Sequence, residues 1–142
     1  MLATASAGPT VPAGQSPVDL GTTVDLGPVT LRVHGVARGV AGERKVSTFG
    51  AQVQACVSED AGAPVAFTLG SWRLVEANDE SRAAVSDSWE TPGDPEAPLQ
   101  GQLVEPGSCV SSWVVFDESA QLKPEAVGYQ NVNGDRIDWR VP

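Results

Sequence analysis

The sequence predicts an all-β domain, and three features of the chain carry this prediction. Apolar residues alternate two apart along several segments, as they do in strands with one buried face. The chain's 15 Gly and 11 Pro are spread between these segments as turn signals. No segment has a convincing helical period. About eight strands in a chain of 142 residues predict one sandwich or barrel, at a size that supports a core of its own.

The first half of the chain contains the clearest alternating segments. They lie at residues 24–26, 29–33, 49–57 and 65–69. The dipeptide Gly27-Pro28 separates the first two as a turn, and a polar turn at 39–45 and a loop at 58–64 separate the others. After Gly70 the alternation resumes at Trp72 with the opposite parity, which indicates a β-bulge or a strand that changes sheet.

The second half of the chain carries weaker strand signals between stronger turn signals. Residues 83–89 mark a weak strand, and the Pro-rich acidic segment 91–98 predicts a surface loop, because Pro lacks a ladder donor. Residues 105–108, Glu-Pro-Gly-Ser, predict a turn that leads into a strand at 109–116. Residues 117–124 have room for one short helical turn at most.

Asn133-Gly134, between two apolar runs, is the strongest hairpin signal in the chain. A two-residue turn would put Tyr129 on the face opposite Ile137 and Trp139. A three-residue loop of 132–134, with Gly134 at the left-handed position of a G1 bulge, instead pairs Tyr129 with Ile137 and Val127 with Trp139. We predict the three-residue loop, because it directs the whole apolar set to the core.

Cys56 and Cys109 are the only cysteines in the chain. Each lies in an alternating segment, and the alternation puts both on the less apolar face of their strands. Two thiols placed in this way predict one disulfide, near the surface rather than across the core, and hence an exported protein. A cytosolic protein with two free thiols is the alternative interpretation.

The N-terminal residues 1–17 are small and rich in Pro and Gly. They lack the basic start and the continuous apolar centre of a signal peptide. We expect a disordered spacer that holds a domain at 18–142 off a membrane or wall. If the disulfide prediction is right, an export signal has been removed ahead of Met1, and the protein is secreted or tethered to the cell envelope.

The formal net charge of −9, from 18 acidic and 9 basic residues, limits the partners. The few Lys and Arg form no patch that could neutralise a row of phosphates, so nucleic acid is not an expected partner. The same acidity disfavours docking on an anionic membrane, and the sequence has no run of 18 apolar residues that would insert into one. We expect a monomer whose partner is a protein or an envelope component.

The residues that could carry chemistry are few. His34 is the only histidine, which excludes His-rich zinc sites and blue-copper sites by counting. The alternation puts His34 beside Arg32 on a solvated face, and no Gly-x-Ser-x-Gly motif presents a hydrolase nucleophile. Acidic loop residues at 59–60, 78–80 and 117–118 match no calcium-loop spacing. We therefore predict no catalytic residue, no metal site and no cofactor.

Four tryptophans invite a role in stacking on a carbohydrate or a peptide. Trp72 and Trp139 alternate with apolar neighbours, so we expect both to pack within the fold. Trp113 shares a face with Cys109, so we expect its ring to cover the disulfide. Trp89 lies beside the Pro-rich acidic segment and is the candidate for an exposed contact.

Several segments together resemble a family of small exported domains of unknown function, common in actinobacterial lipoproteins and related to the mycobacterial immunoprotective extracellular antigen. The most distinctive match is Glu105-Pro106-Gly107-Ser108-Cys109-Val110 followed by Trp113-Val114-Val115-Phe116. Further matching runs lie at 21–24, 29–33, 53–57, 71–75 and 138–141. The resemblance covers roughly Val18 to Pro142. It implies an immunoglobulin-like antiparallel β-sandwich of about seven to nine strands, export, a Cys56–Cys109 disulfide and no particular reaction.

We expect a non-enzymatic, exported or envelope-tethered interaction module that presents loops on a rigid scaffold. The alternative is an accessory envelope protein that binds a carbohydrate or small ligand, and a hydrolase comes third. Exposed aromatic residues in one concavity would favour ligand binding, whereas a flat apolar patch would favour a protein partner.

Overall fold

The computed structural model describes most of the chain. The described residues are 2–4, 10–12, 14, 16–41, 46–67, 71–76, 81–83, 89–90, 102–117, 124–131 and 134–141. Within these ranges only the backbone is described for residues 2–4, 38–41, 46–48, 81–83, 89–90, 102 and 117. The phase change at Gly70, the loop at 91–98 and the helical turn expected within 117–124 fall wholly or largely outside the described residues.

The described residues form fourteen strands and one 3-10 turn, Glu59–Ala61. The strands are β1 Leu2–Thr4, β2 Thr10–Pro12, β3 Val18–Asp19, β4 Thr23–Asp25, β5 Val29–Ala41, β6 Val46–Val57, β7 Val65–Phe67, β8 Trp72–Glu76, β9 Ser81–Ala83, β10 Trp89–Glu90, β11 Gln102–Val104, β12 Cys109–Asp117, β13 Pro124–Gln130 and β14 Arg136–Arg140. Six have five or more residues and eight have two or three. The short strands raise the count above the predicted range, because pairings this brief leave no alternation in the sequence.

The strands make two main sheets, which confirms the predicted all-β sandwich. Sheet A has the order β12-β6-β5-β4-β2, and β1 and β10 pair with further parts of β5. Sheet B has the order β3-β14-β13-β8-β9, and β11 and β7 form a separate ribbon. The described pairs are antiparallel except β14 with β3 and β2 with β4. No helix in the part of the chain that the structure describes is long and apolar enough to span a bilayer.

The core lies between the inner faces of sheets A and B. Its fully buried members include Leu31, Val33, Ala51, Val114, Phe116, Leu74, Val127, Ile137 and Trp139. Trp72 packs edge-on against Tyr129 with ring centroids 5.1 Å apart and tilted against Trp139 at 6.1 Å. Trp113 is buried in a separate cluster with Ala37 and Val115. The predicted packing roles of Trp72 and Trp139 are therefore confirmed. Trp113 is buried as predicted, and its expected position over the disulfide stays a prediction.

The C-terminal hairpin has the predicted register. Tyr129 pairs with Ile137 and Val127 pairs with Trp139, and all four side chains are buried. Gly134 has a φ of +89° and donates its N–H to the carbonyl of Asn131 at 3.1 Å. Since the N–H of Asn131 donates to the carbonyl of Asp135 at 3.1 Å, three residues lie within the loop. The parity argument is confirmed.

The turns predicted at Gly27-Pro28 and at 105–108 are also confirmed. The N–H of Leu26 donates to the carbonyl of Val29 at 2.9 Å, across the corner between β4 and β5. The N–H of Ser108 donates to the carbonyl of Glu105 at 3.0 Å, just before β12.

A β-bulge in β5 departs from the predicted alternation. Val33 pairs with Val53 but Gly35 pairs with Gln52, so the ladder skips His34. Val36, three residues after Val33, is therefore the next core residue of the strand. A bulge shifts every later side chain to the other face.

The expectation of a disordered spacer at 1–17 differs from the structure wherever this segment is described. β1 pairs with β5 at residues 35–37, and β2 pairs in parallel with β4. The physical reason is the length of β5, whose 13 residues extend beyond the three-residue β4. Its further ladder groups are paired with β1 and β10. The domain boundary between residues 17 and 18 stays a prediction.

Candidate functional site

Cys56 and Cys109 form the predicted disulfide. The two residues are direct cross-strand partners in β6 and β12, with Cα atoms 4.0 Å apart. Cys56 is half-buried and Cys109 is exposed. The bond therefore lies on the outer surface of sheet A and joins neighbouring strands of one sheet, as the parity argument predicted.

His34 lies at the bulge of β5, in sheet A. It is half-buried, whereas the sequence predicted a solvated position. Burial lowers the pKa of its imidazole below the ordinary value of 6.5, and the nearby Arg32 charge lowers it further. The neutral form is thus favoured in the folded protein. The bulge explains the difference, because it removes His34 from the regular outer row that alternation assigned to it.

The candidate contact residue Trp89 belongs to β10, where its backbone pairs with Ala41 of β5. Its side chain lies outside the described part of the structure, so the exposed contact stays a prediction. The acidic residues Glu59 and Asp60 form an exposed 3-10 turn, in which Ser58 Oγ accepts the N–H of Asp60 at 3.2 Å. Among the described residues, no three His, Cys, Asp or Glu side chains lie close enough together to hold a metal ion.

The outer face of sheet B carries a concave surface that the sequence did not predict. Its floor is made by Ala126 and Gly128 of the central strand β13. In the cross-strand rows, Gly128 lies between Arg73 of β8 and Asp138 of β14. The next row places Ala126 between Val75 and Arg140. Small residues in the middle and long ones on both sides make a channel along β13.

The channel consists of two adjoining depressions, which together we call the sheet B groove. The larger has a volume of about 510 Å³ and extends from Pro17 and Pro124 over Ala126. The smaller has a volume of about 100 Å³ and is lined by Arg73, Val75, Gly128, Gln130, Arg136 and Asp138. Val75, Arg136 and Asp138 line both depressions.

Gly128 determines the depth of the smaller depression. A Cβ at this position would lie 2.7 Å from Asp138 Oδ1 and 3.6 Å from a methyl carbon of Val75. The first distance is too short for a real contact, so only glycine lets the Asp138 carboxylate lie across the floor. The side chain of Asp138 is correspondingly only 21% exposed.

The three arginines of the groove differ in how they use their donors. Arg140 donates from Nε and Nη2 to Asp19 Oδ1, at 3.0 and 2.8 Å, and from Nη1 to the carbonyl of Pro17 at 3.2 Å. Arg136 donates from Nε to Asp138 Oδ1 at 3.4 Å, which is long for a charged pair. Arg73 is exposed, and its side chain has no hydrogen bond or ion pair within the described residues.

The segment before β4 is fastened along the β14 wall of the groove. β3 runs parallel to β14, and the N–H of Asp138 donates to Ser16 Oγ at 2.9 Å. Trp139 donates its buried Nε1–H to the carbonyl of Thr22 at 2.9 Å. Arg140 therefore anchors this segment, whereas Arg73 and Arg136 have side-chain N–H donors that are not used within the described residues.

The described lining of the groove offers no exposed aromatic ring. Tyr129 lines the smaller depression, but its ring packs against Trp72 on the core side. Burial raises the pKa of Tyr129, and a side-chain hydrogen bond with Ser71 offsets part of this rise. The arrangement suits hydrogen bonding to a polar chain better than stacking on a sugar.

The alternation of β8 and β14 does assign Arg73, Arg136, Asp138 and Arg140 to an outer face. The sequence shows neither which of them are cross-strand neighbours nor that Gly128 lies between two of them. Predicting this site would require the register of strands β8, β13 and β14, which is set by pairing between segments that are distant in sequence.

Fold and groove together define a disulfide-clamped β-sandwich with a polar groove on the outer face of one sheet. No family model matches the sequence, and no curated protein matches it. Among solved structures, the yjhA protein of Bacillus subtilis is similar with a TM-score of 0.64 and 13% identity, over 88% of this chain and 99% of that one.

Two further structures share the fold. MPT63, a secreted protein of Mycobacterium tuberculosis, has a TM-score of 0.56 and 15% identity, over 95% of this chain and 99% of its own. The candidate lipoprotein ycdA of Bacillus subtilis has a TM-score of 0.55 and 11% identity, over 80% of this chain and 36% of its own. Identities this low show a common fold and no more.

Proposed function

We propose that this chain is an exported, non-enzymatic interaction module that binds a protein partner through the sheet B groove. The observation that carries the proposal is the pairing of a glycine floor with guanidinium donors that the fold leaves free. Gly128 leaves the space in which the Asp138 carboxylate lies across the floor of the smaller depression, and the side chain of Arg73 has no hydrogen bond or ion pair within the described residues. A surface with unused donors and a fixed shape is typical of recognition sites on rigid scaffolds.

Two observations support export. The Cys56–Cys109 disulfide is the kind of bond that persists in oxidising compartments. The fold is shared with MPT63, a secreted protein, and with a candidate lipoprotein. Both observations support our proposal that the protein is exported, either secreted or tethered to the envelope.

The positions of the reactive side chains support a non-enzymatic role. His34 lies in sheet A, whereas the groove lies on the outer face of sheet B. The described residues that line the groove include no Ser, Thr, Cys or His. A nucleophile activated by histidine, the usual device of hydrolases, therefore has no place in this groove.

A comparison of three proteins tests the proposal. Wild type, Gly128→Leu and Ser111→Leu are immobilised and exposed to secreted and envelope proteins of the source organism, and retained proteins are quantified by mass spectrometry. The leucine side chain introduced by Gly128→Leu fills the floor of the groove, whereas position 111 is exposed on the outer face of sheet A. We expect one or more proteins retained by wild type and Ser111→Leu and lost with Gly128→Leu.

The same retained set for all three proteins, or none for any, would contradict the proposal. Arg73→Gln serves as a second groove variant if Gly128→Leu proves unfolded by circular dichroism. A hydrolase activity that disappears with His34→Gln would overturn the non-enzymatic part.

A further inference from the structure

We infer that the sheet B groove takes an extended, acidic peptide segment, with one carboxylate held between Arg73 and Arg136. The inference rests on the proposed function, because it specifies the chemistry of the partner at the same site. Three observations support it: the unused N–H donors of Arg73 and Arg136, the length and width of the groove, and the charges that line it.

Two arginines of the groove, Arg73 and Arg136, have side-chain N–H donors that the described part of the fold does not use. A guanidinium presents several N–H donors in a planar fork that matches a carboxylate. Each of the three side-chain nitrogens of Arg140 already donates a hydrogen bond, to Asp19 or to Pro17. Arg73 uses none within the described residues, and Arg136 uses only Nε, at 3.4 Å. Both line the smaller depression, so a ligand bound there lies beside both arginines.

Asp138 shows how a carboxylate fits this place. Its Oδ1 lies over Gly128 and against Arg136. The long contact leaves the Nη groups of Arg136 free for a second carboxylate. The charge of Asp138 also repels such a ligand, so its removal should tighten binding.

The shape of the groove indicates an extended chain. The floor follows β13, and its walls are the neighbouring strands β8 and β14. Two interstrand spacings separate the walls by about 10 Å, which accommodates one extended peptide. Beyond the arginines, Val75, Ala126 and Val141 provide an apolar surface for the ligand's adjacent side chains.

The charge of this face complements an acidic ligand. The whole chain carries −9, with only nine basic residues. Three of those nine, Arg73, Arg136 and Arg140, line the groove beside two carboxylates, Glu125 and Asp138. Arg140 is paired with Asp19 and Arg136 with Asp138, so Arg73 carries the arginine charge that has no carboxylate partner within the described residues. An acidic sugar would offer the same carboxylate. The described lining of the groove, however, has no exposed aromatic ring on which a sugar could stack, so we assign a peptide as the occupant.

A titration followed by two-dimensional ¹H–¹⁵N NMR tests the inference on the full chain. The probes are the acetylated, amidated peptide Val-Asp-Val-Asp, its counterpart Val-Asn-Val-Asn, and D-glucuronate as an acidic sugar. We expect saturable shifts of the Arg73, Gly128 and Asp138 amides with the Asp peptide. The Asn peptide and glucuronate should bind at least about tenfold more weakly, because charged hydrogen bonds are stronger than neutral ones.

Variants separate the groove from general charge. Arg73→Gln and Arg136→Gln should each weaken the Asp peptide by about tenfold, and Asp138→Asn should tighten it. Arg32→Gln makes the same change in net charge on sheet A and should leave the affinity unchanged. Binding that survives both groove variants, or equal affinity for the Asn peptide or for glucuronate, would overturn the inference.

Failure of this inference is distinguishable from failure of the proposed function. If the peptide does not bind but Gly128→Leu still abolishes retention of a partner, the carboxylate assignment is wrong and the interaction function stands. If Gly128→Leu retains every partner of the wild type, both are wrong.

Discussion

Gly134 is the residue whose backbone decides the C-terminal hairpin. Its φ of +89° is a conformation that β-branched residues rarely adopt. We expect Gly134→Val to lower the free energy of unfolding by about 1 to 2 kcal/mol. Gly134→Asn is the matched control, because Asn tolerates the left-handed region, and it should lose much less. Urea unfolding measures both, and equal stability of the valine variant and wild type would contradict the G1 bulge.

His34 gives the protein a predicted pH dependence. Its folded pKa is lowered by burial and by Arg32, so the unfolded chain binds the proton more readily. The stabilisation is full above the ordinary pKa of 6.5 and is lost as pH falls from there through the folded value. In His34→Gln this part of the dependence should disappear. Melting curves of both proteins between pH 7.5 and pH 5 test this, and parallel curves would contradict the burial of His34.

Residue-level prediction from the sequence succeeded where alternation was unbroken and failed where it was not. Cys56 lies in the regular part of β6, so the alternation correctly predicted which face of the strand it occupies and that it lies near the surface. His34 lies at a bulge, and its half-burial could not be read, because a bulge is fixed by pairing with β6. The sequence does contain one sign of the bulge, because the apolar residues Val33 and Val36 are three positions apart instead of two.

At the scale of elements, the segment beside β14 is held by several individually weak contacts. The Arg140–Asp19 pair is bidentate on the arginine, but the two side chains are 54% and 78% exposed. We expect a double-mutant cycle with Arg140→Gln and Asp19→Asn to give a coupling below about 1 kcal/mol. Thermal unfolding of the four proteins measures it. A coupling of more than about 2 kcal/mol would mean that the pair is far less screened than its exposure implies.

The long strands could be predicted from sequence, and the short ones could not. β6, β12, β13 and β14 each bury two or more residues in alternating positions, which leaves a pattern in the sequence. β1, β2 and β3 have only two or three residues each, and strands this short leave little alternation in the sequence. The sheet B groove was missed because Arg73, Gly128 and Asp138 become neighbours only through strand register.

At the scale of the whole molecule, the disulfide is the main covalent constraint. It joins residues 53 positions apart, and closure of a loop of that length stabilises a fold by about 4 kcal/mol. We expect the double variant Cys56→Ala, Cys109→Ala to lose about this much of the free energy of unfolding, which is a large share for one domain. Guanidinium unfolding measures the loss. A loss below about 1 kcal/mol would show that the loop is already constrained in the unfolded chain.

If the sheet B groove binds the partner as we propose, a probe beside the groove should contact that partner and a probe on the outer face of sheet A should not. Gln130 is exposed at the rim of the smaller depression, and Ser111 is exposed on the outer face of sheet A. A photocrosslinking residue, p-benzoylphenylalanine, is placed at each position in turn, and the protein is irradiated in cells of the source organism. The account predicts a discrete protein adduct from position 130 and none from position 111. An adduct from position 111 alone, or from neither position, would contradict it.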